Sequence, residues 1–254
     1  MAPPPLAARE SMREERFRDI WSNELNDAFA DIARYYDRAN EIAALGMWSN
    51  FLERFMRSVD IQPGQKVLDV CAGTNAIGIA LLKREPSLDV QAMDRSAEMQ
   101  AVGRKNASAL GFTIKSAIGD VHSLPFPDNH FDVVTLQFAS RHLRVREVFT
   151  EILRVLKPGG HFHHSDMLRP RNPVVKQLYY GYLKGCLNFT STIVGSGPSA
   201  VKFKQYFIDA LDLFYSAEEL SIMLRDLGFT EVSVDRVFYG MIGFHRAVKP
   251  GPSV

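Results

Sequence analysis

The stretch "LDVCAGTNAIGIALL", residues 68–82, constrains the chain more than any other: an apolar strand enters a loop of small residues and leaves directly as an apolar helix. So short a link forces the helix back against the strand, the opening unit of a parallel sheet with crossover helices. The pattern then repeats. Strands are predicted at 66–70, 88–94, 112–118, 131–138 and 160–167, with helices at 76–84, 96–110 and 143–156 between them. This alternation defines an α/β fold whose sheet is covered on both faces. Ser216 in "YSAEEL" caps a helix that Gly228 ends, and two strands, 229–238 and 240–248, close the sheet through a tight connection that makes one edge strand antiparallel.

Before the sheet, 11–59 carries helical apolar spacing at Phe17, Ile20, Trp21, Leu25, Phe29 and Ile32, broken near Gly46, which predicts a helical cap. Residues 1–8, rich in Pro and Ala, are expected to be disordered. After "LRPRNP" the chain turns helical and aromatic over 174–189, passes the flexible "STIVGSGPSA" and resumes helices to about 227; this reads as an insertion over the sheet, about 171–215. The organisation expected is a partly disordered extension over 1–28 and one domain over 29–250.

The 30 basic residues against 29 acidic ones give a formal charge of +1, so no global attraction to nucleic acid or anionic lipid is expected and the partner is a small molecule. Two cysteines, Cys71 and Cys186, are too few for a disulfide framework. No signal peptide is evident, and no run approaches the roughly 20 apolar residues of a membrane span. A cytoplasmic protein fits, with peripheral docking on a bilayer compatible with it.

In an open parallel sheet, ligands bind beyond the carboxyl ends of the strands, where the first strand feeds the first helix. Residues 69–78 occupy that place. Gly73 lets backbone approach a ligand, Thr74 offers a hydroxyl, and Asn75 is the non-glycine residue type that best tolerates a left-handed turn. Asp94 ends the second strand about 20 residues on, where a carboxylate can accept from both hydroxyls of a ribose. Asp120, in "GDVHSLPF", could take an adenine amino group and Val121 could offer its N–H to the ring. Together these describe an adenosine pocket. A dinucleotide requires G-x-G-x-x-G; with Asn75 at the middle glycine, a side chain would crowd a pyrophosphate, which favours S-adenosylmethionine, with Asp69 near its ammonium.

These residues resemble the class I S-adenosylmethionine-dependent methyltransferases, and among them the ubiquinone/menaquinone biosynthesis C-methyltransferases. "FADIARYYDRAN" is similar to that family's F-x-x-I-A-x-x-Y-D-x-x-N, through Phe29, Ile32, Ala33, Tyr36, Asp37 and Asn40; "LPFPDNHFD", "RVLKPGG" and "FHRAVKP" follow the same pattern. The resemblance implies a seven-stranded Rossmann-like sheet, cofactor contacts at Thr74, Asp94, Asp120, Val121 and Gln137, and a hydrophobic acceptor in quinone biosynthesis. A homodimer is compatible with it. Departures are present: Ala72-Gly73-Thr74-Asn75-Ala76 replaces C-G-T-G-D or G-G-T-G-D, Phe138-Ala139-Ser140-Arg141-His142 replaces F-G-L-R-N, and Asp166 stands at a position normally Glu.

Methylating a quinol carbon needs electron density beside a ring hydroxyl. His142 could take the phenolic proton and Arg141 stabilise the oxyanion; alternatively Arg141 pairs with Asp120 or Asp166 as scaffold and His142 caps the next helix. Among His161, His163 and His164, strand alternation puts His163 and His164 on opposite faces, so an acceptor contact from His163 is favoured over a metal site. Tyr36, Asp166 and Tyr179 complete the acceptor contacts expected, with Tyr180, Tyr182, Phe189, Phe203, Tyr206 and Phe207 as packing or lid. Methylation of oxygen or nitrogen on another hydrophobic molecule, or a non-catalytic cofactor-binding module on the same fold, are the alternatives.

Overall fold

The computed structural model describes residues 5–194 and 198–251, with side chains outside 22–23, 28, 32, 35, 43 and 189–204. Seven strands form one sheet in the order β3-β2-β1-β4-β5-β7-β6. They are β1 (Lys66–Val70), β2 (Asp89–Asp94), β3 (Lys115–Ile118), β4 (Phe131–Gln137), β5 (Leu156–Met167), β6 (Thr230–Val237) and β7 (Ile242–Val248). Strands β3, β2, β1, β4 and β5 are parallel, while β7 runs antiparallel to both β5 and β6. The chain order reverses between β1 and β4, the crevice where an open sheet takes its ligand.

Helices α5 (Ala76–Arg84), α6 (Ala97–Ala109) and α7 (Val145–Val155) are the crossovers. Apolar residues from alternate strand positions separate onto two faces: Leu68, Val70, Val134, Leu136 and Phe162 pack on the α7 side, and Val67, Val90, Val133 and Phe244 on the α5 side. The central strands are thus buried on both faces, as crossover topology requires. Helix α10 (Ala217–Asp226) begins in the capping box expected at Ser216: its hydroxyl accepts from the Glu219 N–H while the Glu219 carboxylate accepts from Ser216 N–H.

The N-terminal cap runs as α1 (Leu6–Asp19), a π turn (Ile20–Glu24), α2 (Leu25–Ile32), α3 (Tyr36–Ala43) and α4 (Trp48–Ser58). Helix already starts at Leu6, so disorder over 1–8 is corrected from residue 6 onward; residues 1–4 lie outside the described residues. Burial explains the order. Arg9 pairs with Glu219, Phe17 packs on Tyr206 and Ala210, and Arg13 stacks on Trp21, Phe214 and Tyr215 while donating to the carbonyls of Arg141 and Leu143 at 3.2 and 3.3 Å. The insertion is α8 (Pro173–Val194) and α9 (Pro198–Asp212); helix thus runs through 191–194 and 198–200 of the segment expected to be flexible, while 195–197 and the side chains of Ile32, Phe189 and Phe203 fall outside the described ones.

Candidate active site

The β1–α5 loop is built on left-handed backbone. Cys71 has φ 55°, Gly73 52° and Asn75 60° with ψ 27°, so the left-handed turn read at Asn75 is present. Its side chain, however, does not enter the ligand crevice. Asn75 is fully buried, its Oδ1 accepts from Gln100 Nε2 at 2.9 Å, and it fills a notch in α6 where a Cβ on Gly103 would lie 2.7 Å from its amide. The crowding argument against a dinucleotide is therefore corrected, because this turn points the side chain at α6. Asn75→Gly is expected to keep the loop and lose about 1 kcal/mol with the Gln100 bond. Asn75→Val, β-branched at φ > 0, is expected to lose more than twice that, with urea denaturation of both variants as the check.

Beyond the strand ends lies a cavity of about 460 Å³. Of the sequence-predicted residues it gathers Tyr36, Gly73, Asp94, Asp120, Val121, Gln137 and His142. A Cβ added to Gly73 would meet no protein atom within 4 Å; it would stand in that cavity, so the glycine leaves room for a ligand against the backbone. Asp94 holds the loop by accepting from the N–H groups of Gly73 and Ser96, both at 2.8 Å, and burial raises its pKa. Gln137 presents a buried Nε2 with no partner among the described residues. A carboxylate at the end of β2, a second at 120 beyond β3, and a bare glycine turn beyond β1 on the other side of Asp94 fit an adenosine with an amino-acid tail.

Three residues expected at the cofactor lie elsewhere. Asp69 pairs in register with Thr135 of β4 and accepts its hydroxyl at 2.7 Å inside the sheet; burial pushes its pKa up to about 7. Thr74 donates to Asp37 Oδ1 of α3 at 2.8 Å and ties the loop to the cap. Asn75 is the third, as above.

The acceptor-side expectations divide in the same way. Arg141 is the scaffold of its alternative reading: its guanidinium donates to Asp166 Oδ1 at 2.6 Å and to the Phe138 carbonyl at 2.7 Å, with Phe207 beneath it. Asp166 is fully buried and also accepts from Ser140 Oγ and the N–H groups of Arg141 and Met167. All this saturates it. His163 is buried within the sheet at the Thr135 register with neither ring nitrogen partnered among the described residues, and burial lowers its pKa to about 3. Tyr179 packs among Leu183, Ile208 and Leu211 in the insertion. None of these four lines the cavity.

His142 does line it. Its Nδ1 meets the Tyr206 hydroxyl at 2.5 Å, which in turn accepts from the Trp21 indole at 3.0 Å, and Phe29 lies edge-on at 6.0 Å. Burial, reinforced by Arg141 and Arg13, holds its pKa well below the usual histidine value. Trp21, Leu25, Phe29, Met99 and Cys71 were missed as cavity residues. The apolar spacing of Trp21, Leu25 and Phe29 is visible in the sequence, but spacing alone does not separate a core face from a cavity wall. The π turn that carries Trp21 gave no signal in the sequence; such turns are frequent at functional sites.

The fold and this cavity are those of a class I S-adenosylmethionine-dependent methyltransferase. The family follows from the sequence itself: residues 17–249 match the ubiE/COQ5 methyltransferase family, to which the chain belongs. It is 31% identical over 229 residues to a demethylmenaquinone methyltransferase of Paenarthrobacter aurescens, covering 90% of this chain and 87% of that protein. Similarity to a ubiquinone/menaquinone biosynthesis C-methyltransferase of Cereibacter sphaeroides is 29% over 228 residues, covering 89% and 90%. In fold it resembles phosphoethanolamine N-methyltransferase 2 of Haemonchus contortus in complex with phosphomonomethylethanolamine and S-adenosylhomocysteine, with TM-score 0.60 and 18% identity over 81% of this chain and 53% of that one. Among the described residues no helix is long and apolar enough to cross a membrane, and no three His, Cys, Asp or Glu side chains group as a metal site.

Proposed function

We propose that this chain methylates a ring carbon of a prenylated quinol in quinone biosynthesis, working in the cytoplasm with peripheral contact to the membrane that holds its acceptor. The observation that carries the reading is the cavity itself, which brings the carboxylates of Asp94 and Asp120 together with Trp21, Phe29, Phe138 and His142 around one space. The carboxylates suit ribose and adenine, and the aromatic side chains suit a planar, apolar ring. Exposed Val174 and Leu178 on α8 offer apolar surface for bilayer contact. The names borne by the relatives support the quinol.

Bound S-adenosylmethionine supplies an electrophilic methyl group. The residues supply position and a proton path, and alignment alone can remove on the order of 7–11 kcal/mol of a barrier. His142 is oriented by Tyr206 and kept neutral by burial, so at neutral pH it can accept the hydroxyl proton of the acceptor as the ring carbon becomes nucleophilic. Arg141 and Asp166 hold the turn that presents it.

The lowered pKa fixes the sign of the pH dependence. Protonation of His142 removes the base, and since its pKa is depressed the rate should stay level through neutral pH and fall only on the acid side of the ordinary histidine range. His142→Asn should abolish that acid limb while leaving affinity for S-adenosylhomocysteine nearly unchanged, measured as kcat/KM against pH. For the acceptor itself, mass spectrometry of quinone extracts from cells with and without the protein should show a quinone lighter by one methyl group when it is missing; an unaltered quinone pool overturns the reading.

A further inference from the structure

His122 links Asp120 to the loop that carries His142, and its neighbours fix its protonation pattern. The backbone N–H of Arg144 points at Nε2, 3.1 Å away. A backbone N–H can only donate, so Nε2 is the acceptor and carries no proton. The proton of the neutral ring therefore sits on Nδ1, which faces Asp120 Oδ1 at 2.5 Å. The His122 backbone N–H converges on the same oxygen at 3.0 Å. Two donors thus occupy Oδ1 and set the plane of the carboxylate, leaving Oδ2 for a ligand. At its far edge the same imidazole anchors residue 144, two positions after His142, in a loop also tethered by Arg13 on the Arg141 and Leu143 carbonyls, by Asp166 on Ser140 and Arg141, and by Tyr206 on His142. His122, Asp120, His142 and Arg144 all line the cavity.

We propose that His122 is a positioning residue that aims Asp120 Oδ2 at a ligand amino group, selecting an aminopurine over an oxopurine, and that it holds the loop bearing His142 in register with the bound nucleoside. The proposal rests on reading Asp120 as the adenine contact. An aminopurine places a donor opposite the carboxylate. An oxopurine places a carbonyl there, and two acceptors face each other. If the carboxylate is free to rotate, it can turn away and the discrimination weakens.

The test compares S-adenosylhomocysteine with S-inosylhomocysteine by titration calorimetry on the full chain, alongside turnover at saturating cofactor. The wild-type protein should prefer the adenosyl compound by about tenfold or more. Asp120→Asn should erase that preference, and His122→Ala should reduce it severalfold and also lower kcat. The two functions then separate. His122→Asn places an amide N–H at the Nδ1 position and should restore the preference, whereas His122→Gln places an amide oxygen near the Nε2 position and should restore kcat without the preference. Should His122→Ala misfold, the Asn and Gln variants still decide: the reverse pattern, or identical behaviour of the two, overturns the proposal. Collapse of the preference in Asp120→Asn with none in His122→Ala leaves the adenine contact standing and removes the role of His122. An unchanged preference in Asp120→Asn removes both.

Discussion

Arg141→Ala is expected to destabilise the protein by about 3–5 kcal/mol, because it strands the Asp166 carboxylate in a place with no access to water. That is a large share of the roughly 5–15 kcal/mol that holds a typical domain folded. Asp166 would keep Ser140 Oγ and two N–H groups but lose the Arg141 guanidinium, 2.6 Å away. Replacing both partners distinguishes the cause. Arg141→Met with Asp166→Leu removes the pair together and should recover much of the loss, since a buried ion pair and a well-packed apolar pair differ little in net stability. Urea denaturation of the single and double variants reads this directly. A stable Arg141→Ala protein with normal cofactor affinity and no turnover would instead return Arg141 to the chemistry as the phenolate stabiliser.

Asp94→Ala should weaken S-adenosylhomocysteine binding by about a hundredfold or more. Each charge-assisted bond to a ribose hydroxyl contributes about 1.5–3 kcal/mol, and two are lost together. A further loss comes from the loop: the N–H groups of Gly73 and Ser96 both give up their acceptor, so the glycine turn is no longer held against the end of β2. Asp94→Asn, which keeps an acceptor but not the charge, should fall between the two. Calorimetric titration of folded variants is the check, and unaltered affinity in Asp94→Ala would mean the ribose lies elsewhere.

How far such residues could be read in advance depended on the distance of their partners in sequence. The bounds of β1 and α5 came from local alternation, and the left-handed turn at Asn75 from the backbone tolerance of asparagine; both are properties of a few neighbouring residues. Where the Asn75 side chain goes depends on Gly103 and Gln100 in α6, a helix and a strand away. Asp69 behaves similarly. Its position at a strand end suggested the ligand, but the β1–β4 register sets it opposite Thr135. The pairing of Arg141 with Asp166 was one of two open readings, and only the packing of the turn after β4 against β5 decides between them. Strand β5 itself begins at Leu156 rather than 160, because Leu156 pairs with Phe131 before a bulge restores the register at Val133 and His161. The N-terminal cap shows the clearest limit: the same apolar period puts Phe17 in the core and Trp21 at the cavity, and the π turn between α1 and α2 has no signature in the spacing.

The most direct test is a reaction of the purified protein with methyl-labelled S-adenosylmethionine and a prenylated quinol that lacks its ring methyl group, kept reduced. The product's fragmentation then locates the label. One labelled methyl on a ring carbon is expected, formed with one equivalent of S-adenosylhomocysteine and abolished by Asp94→Ala. Label on an oxygen, or cofactor binding with no transfer to the quinol, would contradict it.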